Sequence, residues 1–201
     1  MIDKPSKKLT EAQFRFASEK AGIEYAALRA VNQVECKGRG FNGDEPVILF
    51  ERHVFFERLN EHGLLNTARR AYSERPDLCN PKATPSGGYG LESAQHGRLQ
   101  AAALYDRTSA LESASWGIGQ VMGYNWADLG YPSLQAFMNA MYKDEASQLD
   151  AMIRYIQHKN LIDELNRHEW AKFAKVYNGS GYAKFHYDSN LAKAYKLFAT
   201  P

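Results

Sequence analysis

Apolar residues recur at helical spacing along most of this chain, and only one short run, residues 47–50 (VILF), has the form of a strand. That pattern limits the fold to an α+β domain that is predominantly α-helical. Thr10 and Gln13 have capping-box spacing and open a first helix that carries Phe14, Phe16 and Ala17 and stops at Gly22. A second helix is expected over residues 24–35, with Ala27, Val31 and Val34 on one face and Gly38-Arg39-Gly40 ending it. The strand follows Gly43-Asp44-Glu45-Pro46, and residues 80–90 (NPKATPSGGYG) are loop by composition. Helical periodicity returns over 92–110, with Leu99, Ala102 and Ala103 inward, and over 133–140, 144–158, 169–177 and 189–198. The last of these sets Leu191, Ala194, Tyr195 and Phe198 on one side.

At 201 residues the chain is long enough for one sizeable core and short for two full domains, and it shows no repeat, low-complexity tract or linker. One domain over residues 1–201 is therefore expected, with no separate binding module. A net charge of +2 without a concentrated basic stripe argues against nucleic acid as partner and is compatible with an anionic polymer. No apolar run approaches the roughly 18 residues of a membrane helix, and the N-terminus lacks a signal peptide's apolar stretch. Stable membrane insertion is not expected, and synthesis in the cytoplasm is. Cys36 and Cys79 are too few for a disulfide scaffold and read as reduced, packed thiols.

Glu35 closes an apolar-faced helix, at the negative end of its dipole, where a second negative charge is disfavoured. Partial burial beside Val31 and Val34 acts in the same direction. A carboxylic acid still protonated near neutral pH is what a glycosidase needs to protonate a leaving sugar oxygen. A solvated Glu in a last helical turn is the plainer reading of the position alone. Two further segments change that weighting. One is Ser115-Trp116-Gly117-Ile118-Gly119-Gln120-Val121-Met122, a turn rich in small residues with an embedded Gln. The other is Val176-Tyr177-Asn178-Gly179-Ser180-Gly181, an aromatic and an amide at a helix end before flexible glycines.

In their order and separations, the Glu35 helix end (VECKGRGF) and these two segments resemble the goose-type lysozyme and lytic transglycosylase superfamily. More closely, the chain resembles the N-acetylmuramidase domain of bacteriophage endolysins. That likeness extends to Phe50-Glu51-Arg52-His53 and the loop from Asn80 to Tyr89. It implies a lysozyme-like fold with a small β region beside the catalytic helix end. It also implies cleavage of the β-1,4 bond between N-acetylmuramic acid and N-acetylglucosamine in peptidoglycan, with Glu35 as general acid, for host lysis. The partner would be the glycan strand, the protein a monomer, and the place of action the cell wall, reached once the inner membrane is breached. No metal or organic cofactor is implied.

Each residue keeps a structural alternative. Gly117 and Gly119 would let a polysaccharide, or Glu35 itself, approach the backbone. Gln120 would bond N-acetyl and hydroxyl groups or tie a loop to the core. Ser115 belongs to the same substrate-binding block. Trp116 and Trp126 would stack on sugars or fill a core. Tyr177 and Asn178 would bond Glu35 or substrate, or be a core residue and a helix C-cap. Glu51 is the best second carboxylate, with a salt bridge to Arg52 or Arg58 as its alternative and Asp44, Glu92, Asp106 and Glu112 in reserve. His53 would orient Glu51, touch substrate, or be structural. A glycan-binding cleft is expected between the Glu35 helix end, residues 45–55 and the 115–122 segment.

Hydrolysis is favoured over transglycosylation to 1,6-anhydro ends, which uses one essential Glu. A Cys36–His53 nucleophile lacks any peptidase signature, and there is no HExxH or ligand spacing for zinc. The non-enzymatic rival is a wall-binding or virion module that kept the fold and lost turnover.

Overall fold

The computed structural model describes residues 6–37, 39–85, 88–179 and 181–199. Gly38 in the expected stop of the second helix, Ser86 and Gly87 in the loop, and Ser180 in the third motif lie outside the described residues. In chain order the elements are α1 (Glu11–Ala21), α2 (Tyr25–Cys36), β1 (Phe41–Asn42), β2 (Glu45–Pro46) and β3 (Ile48–Phe50). Next come α3 (Arg52–Glu61), α4 (Leu65–Glu74), α5 (Gln95–Ala103), α6 (Arg107–Glu112), β4 (Ala114–Trp116) and β5 (Val121–Met122). The chain ends with α7 (Leu134–Lys143), α8 (Glu145–His158), α9 (Ile162–Asn166), α10 (Trp170–Tyr177) and α11 (Tyr187–Phe198). This is the α+β, mainly helical class that the periodicity predicts.

Local chemistry sets the element ends. The α1 capping box forms in both directions, Thr10 accepting from the Gln13 amide and Gln13 accepting from the Thr10 amide, and left-handed Gly22 closes the helix. Phe14 is buried, whereas Phe16 is 68% exposed, because two residues turn a helix by roughly 200°. α2 stops at Lys37, itself left-handed with φ 56°, one residue ahead of the expected glycine. The predicted helix over 92–110 is three pieces. A 3-10 turn (Glu92–Ala94) leads into α5, the chain breaks at exposed Leu104, and Asp106 restarts it by accepting from the Ser109 amide at 2.7 Å.

The chain forms two compact units. The first takes the chain up to Pro46, the Gly117–Gly119 turn, and everything from Ala140 onward. Its core joins Phe14, Leu28 and Val31 to Ile118, Met152, Ile156, Phe173 and Leu191. The antiparallel β1–β2 hairpin follows α2, pairing Phe41 with Pro46. The second unit spans Val47–Trp116 and Gln120–Asn139. Its antiparallel sheet has the order β3-β4-β5, with Ile48 opposite Trp116 and Ser115 opposite Met122. Phe50, Phe55, Leu59, Leu99 and Phe137 are buried in this unit.

Candidate active site

In the first unit, Glu35 occupies the last turn of α2, half-buried, and its Oε1 accepts from Asn178 Nδ2 at 2.7 Å. Burial pushes its pKa from an ordinary 4.5 up to about 7, and the Asn178 hydrogen bond opposes the rise by favouring the charged form. The result is a carboxyl group that keeps its proton up to about pH 7 and has a donor ready for the carboxylate left behind. Asn178 directly follows α10 and caps it, so the C-cap reading and the Glu35 reading both hold.

Tyr177 is a core residue. Its ring stacks on Phe173 at 5.1 Å and meets Tyr155 edge-on, and its hydroxyl donates to the Gly119 carbonyl at 2.8 Å. Burial, and then the nearby Glu35 carboxylate, hold its pKa well above the usual phenol range. It therefore remains a donor at every relevant pH.

The glycines of the second motif serve a close approach, but to protein. Gly117 has φ 66°, and a Cβ there would sit 2.5 Å from the Gln148 side chain; one on Gly119 would meet Met152 at 2.6 Å. Both partners belong to α8, so the close approach expected of a polysaccharide or Glu35 is made by a core helix. Buried Gln148 accepts from the Ile118 amide at 3.1 Å and donates to the Gly40 and Met141 carbonyls. Glu145, one turn earlier, accepts from the Gly40 and Leu9 amides, each at 2.8 Å. Nothing marked this pair as important in the sequence except that two polar residues share the buried face of an otherwise apolar-patterned helix.

In the second unit, Ser115 is buried and its hydroxyl donates to Gln120 Oε1 at 2.8 Å. Gln120, left-handed at φ 46°, reaches the Val47 carbonyl at 3.5 Å, so it ties the β4–β5 connection to the chain before β3. Glu51 directly follows β3 and takes the N-cap position of α3, where its side chain makes no capping hydrogen bond. Its Oε2 lies 3.3 Å from the Tyr89 hydroxyl and 3.7 Å from His53 Nε2. Burial raises the Glu51 pKa, while His53 and Tyr89 oppose the rise. Glu51 and His53 line a cavity of about 460 Å³ with Glu57, Arg58 and Tyr124.

The family model for N-acetylmuramidases matches residues 24–199, a range that holds every one of these side chains. The chain belongs to the N-acetylmuramidase family. This muramidase is a glycoside hydrolase acting on peptidoglycan. It is similar to the endolysin of Burkholderia phage AP3, whose crystal structure it matches with a TM-score of 0.84 at 39% identity. The match covers 98% of this chain and 72% of that one. No curated protein matches it.

Other expected residues of the muramidase have structural duties. Trp116 is 1% exposed and donates its indole N–H to the Leu111 carbonyl, so its ring offers no face to a sugar in this structure. Trp126 donates to Glu112 Oε1 at 3.1 Å. Buried Glu112 also accepts from Arg58 and pairs with His62 at 2.7 Å, which explains its burial and engages both of its oxygens in the protein. Arg58 thus pairs with Glu112 and Glu61, whereas Arg52 donates to the Lys82, Ala83 and Pro76 carbonyls. The salt-bridge alternative for Glu51 does not form with either arginine. Asp106 caps α6, and Asp44 pairs with Lys7. Cys36 and Cys79 are thiols, in no disulfide. Among the described residues no cluster of three or more His, Cys, Asp or Glu could hold a metal ion.

Proposed function

We propose that this muramidase is the endolysin of a bacteriophage or prophage, and that it hydrolyses the bond between N-acetylmuramic acid and N-acetylglucosamine with Glu35 as general acid. The observation that carries the reading is Glu35 itself: a half-buried carboxyl at a helix end, protonated up to about pH 7, with the Asn178 amide on one oxygen. Neutral Glu35 gives its proton to the glycosidic oxygen as the C1–O bond breaks. The Asn178 N–H then stabilises the new carboxylate. Glu51 is the second carboxylate. It takes a proton from the water that attacks the oxocarbenium-like carbon, leaving a reducing N-acetylmuramic acid. Gln120 and Asn178 contact the sugar or fix the groups that do, and His53 helps orient Glu51. Among the described residues no helix is long and apolar enough to cross a membrane, and the proposed place of action is the wall after the inner membrane is breached.

Mass spectrometry of fragments released from purified peptidoglycan tests this directly. Reducing N-acetylmuramic acid ends, absent from a Glu35→Gln digest, are expected. Anhydro ends would make the protein a transglycosylase, reducing N-acetylglucosamine ends a glucosaminidase, and products unchanged in the variant would remove Glu35 from the chemistry.

A further inference from the structure

Tyr89 sits in a loop, in no helix or strand, yet its main chain is held twice. Its carbonyl accepts from Gln95 Nε2 at 2.7 Å and from Arg98 Nη1 at 2.8 Å, both on α5. Gln95 is buried, and its Oε1 accepts the Phe50 amide at 3.2 Å. One side chain therefore ties down both the strand residue preceding Glu51 and the loop residue whose hydroxyl reaches Glu51. Arg98 adds a bond to the Asp77 carbonyl at 3.0 Å, and Arg52 fixes the same loop through the Lys82 and Ala83 carbonyls.

We propose that Tyr89 is a positioning residue of the hydrolase, whose hydroxyl aims Glu51 and holds it ionised so that it can take a proton from water. The inference rests on the reading of Glu51 as the second carboxylate. A donor on a carboxylate oxygen favours the charged form, and here it works against burial. The other groups around Glu51 do not replace it. His53, from α3, opposes the rise more than Tyr89 does but at 3.7 Å lies beyond hydrogen-bond reach of the same oxygen and cannot aim it, Glu57 on α3 repels the charge, and Arg58 is engaged by Glu112 and Glu61. Burial, and then the nearby Glu51 charge, raise the Tyr124 pKa, which marks it as a neighbour, and among the described residues the shared cavity is lined by no basic side chain besides His53 and Arg58.

The test compares pH profiles of kcat/KM on soluble glycan fragments for wild type, Tyr89→Phe and Glu51→Gln. Tyr89→Phe keeps the ring and the anchored carbonyl and removes only the donor. Its acid limb should move upward by about one pH unit, the worth of one hydrogen bond to a charged group, with the alkaline limb unmoved. A carbon-13 titration of the Glu51 carboxyl in the same variant should rise in parallel. A uniformly lowered or unchanged profile, with Glu51→Gln inactive, overturns the role of Tyr89 and leaves Glu51 standing. Near-normal turnover by Glu51→Gln removes the second carboxylate, and this inference with it.

Discussion

Glu35 pairs two opposing influences on one carboxyl group, and each can be varied separately. Activity should fall along an alkaline limb near pH 7 as the acid loses its proton. Asn178→Leu, which removes the donor that favours the charged form, should shift that limb to higher pH while lowering the maximum; a limb that stays put would mean the amide does not act on Glu35. Stability carries the same signature. Because folding raises the Glu35 pKa, its favourable contribution is complete below about pH 4.5 and is lost as pH climbs toward 7. Glu35→Gln has no charge to desolvate. Its thermal midpoint should exceed that of wild type by a margin that grows between pH 4.5 and 7 and then levels off, which melts across that range would measure. The position of Glu35 was legible from a helix end beside apolar neighbours. Its contact with Asn178, 143 residues away, was an expectation only through the family resemblance, because periodicity describes one element at a time.

At the scale of elements, the legible parts are those with local chemistry: the Thr10–Gln13 capping box, the Gly22 stop and the short β3 run all stand where expected. α3 and α4 were missed because their buried faces are thin. α3 buries Val54, Phe55 and Leu59 among charged residues, and α4 buries only Ala68 and Ala71. The roles of Gly117 and Gly119 were hidden for the opposite reason, since what they accommodate, α8, lies far along the chain. Two alanine substitutions separate the possible roles of a glycine. Gly22→Ala meets nothing within 4 Å and should cost about 1 kcal/mol through its positive φ alone. Gly117→Ala adds a clash with Gln148 to the same backbone strain, and should cost about 2–4 kcal/mol. Equal losses in denaturant melts would show that α8 yields without strain.

Over the whole molecule, charge is unevenly spread. Residues 170–199 hold Lys172, Lys175, Lys184, Lys193 and Lys196 against Asp188 alone, in a chain whose net charge is only +2. All five lysines are exposed. Peptidoglycan stems carry carboxylates, so retention of inactive Glu35→Gln protein on purified wall should weaken as salt rises from about 0.1 to 1 M and the screening length shrinks from about 10 to 3 Å. Reversing Lys184, Lys193 and Lys196 to Glu should weaken it at low salt, with the thermal midpoint unchanged; retention indifferent to both would assign wall affinity to uncharged contacts. The basic stretch was hidden in the sequence by a net charge that averages it away.

The unit that carries Glu35 is stitched from three separate stretches, one of them only the Gly117–Gly119 turn. No single cut in the gene yields that unit intact, and no single crossover inside the chain can exchange it for a homologue's, since every one of its boundaries must be matched at once.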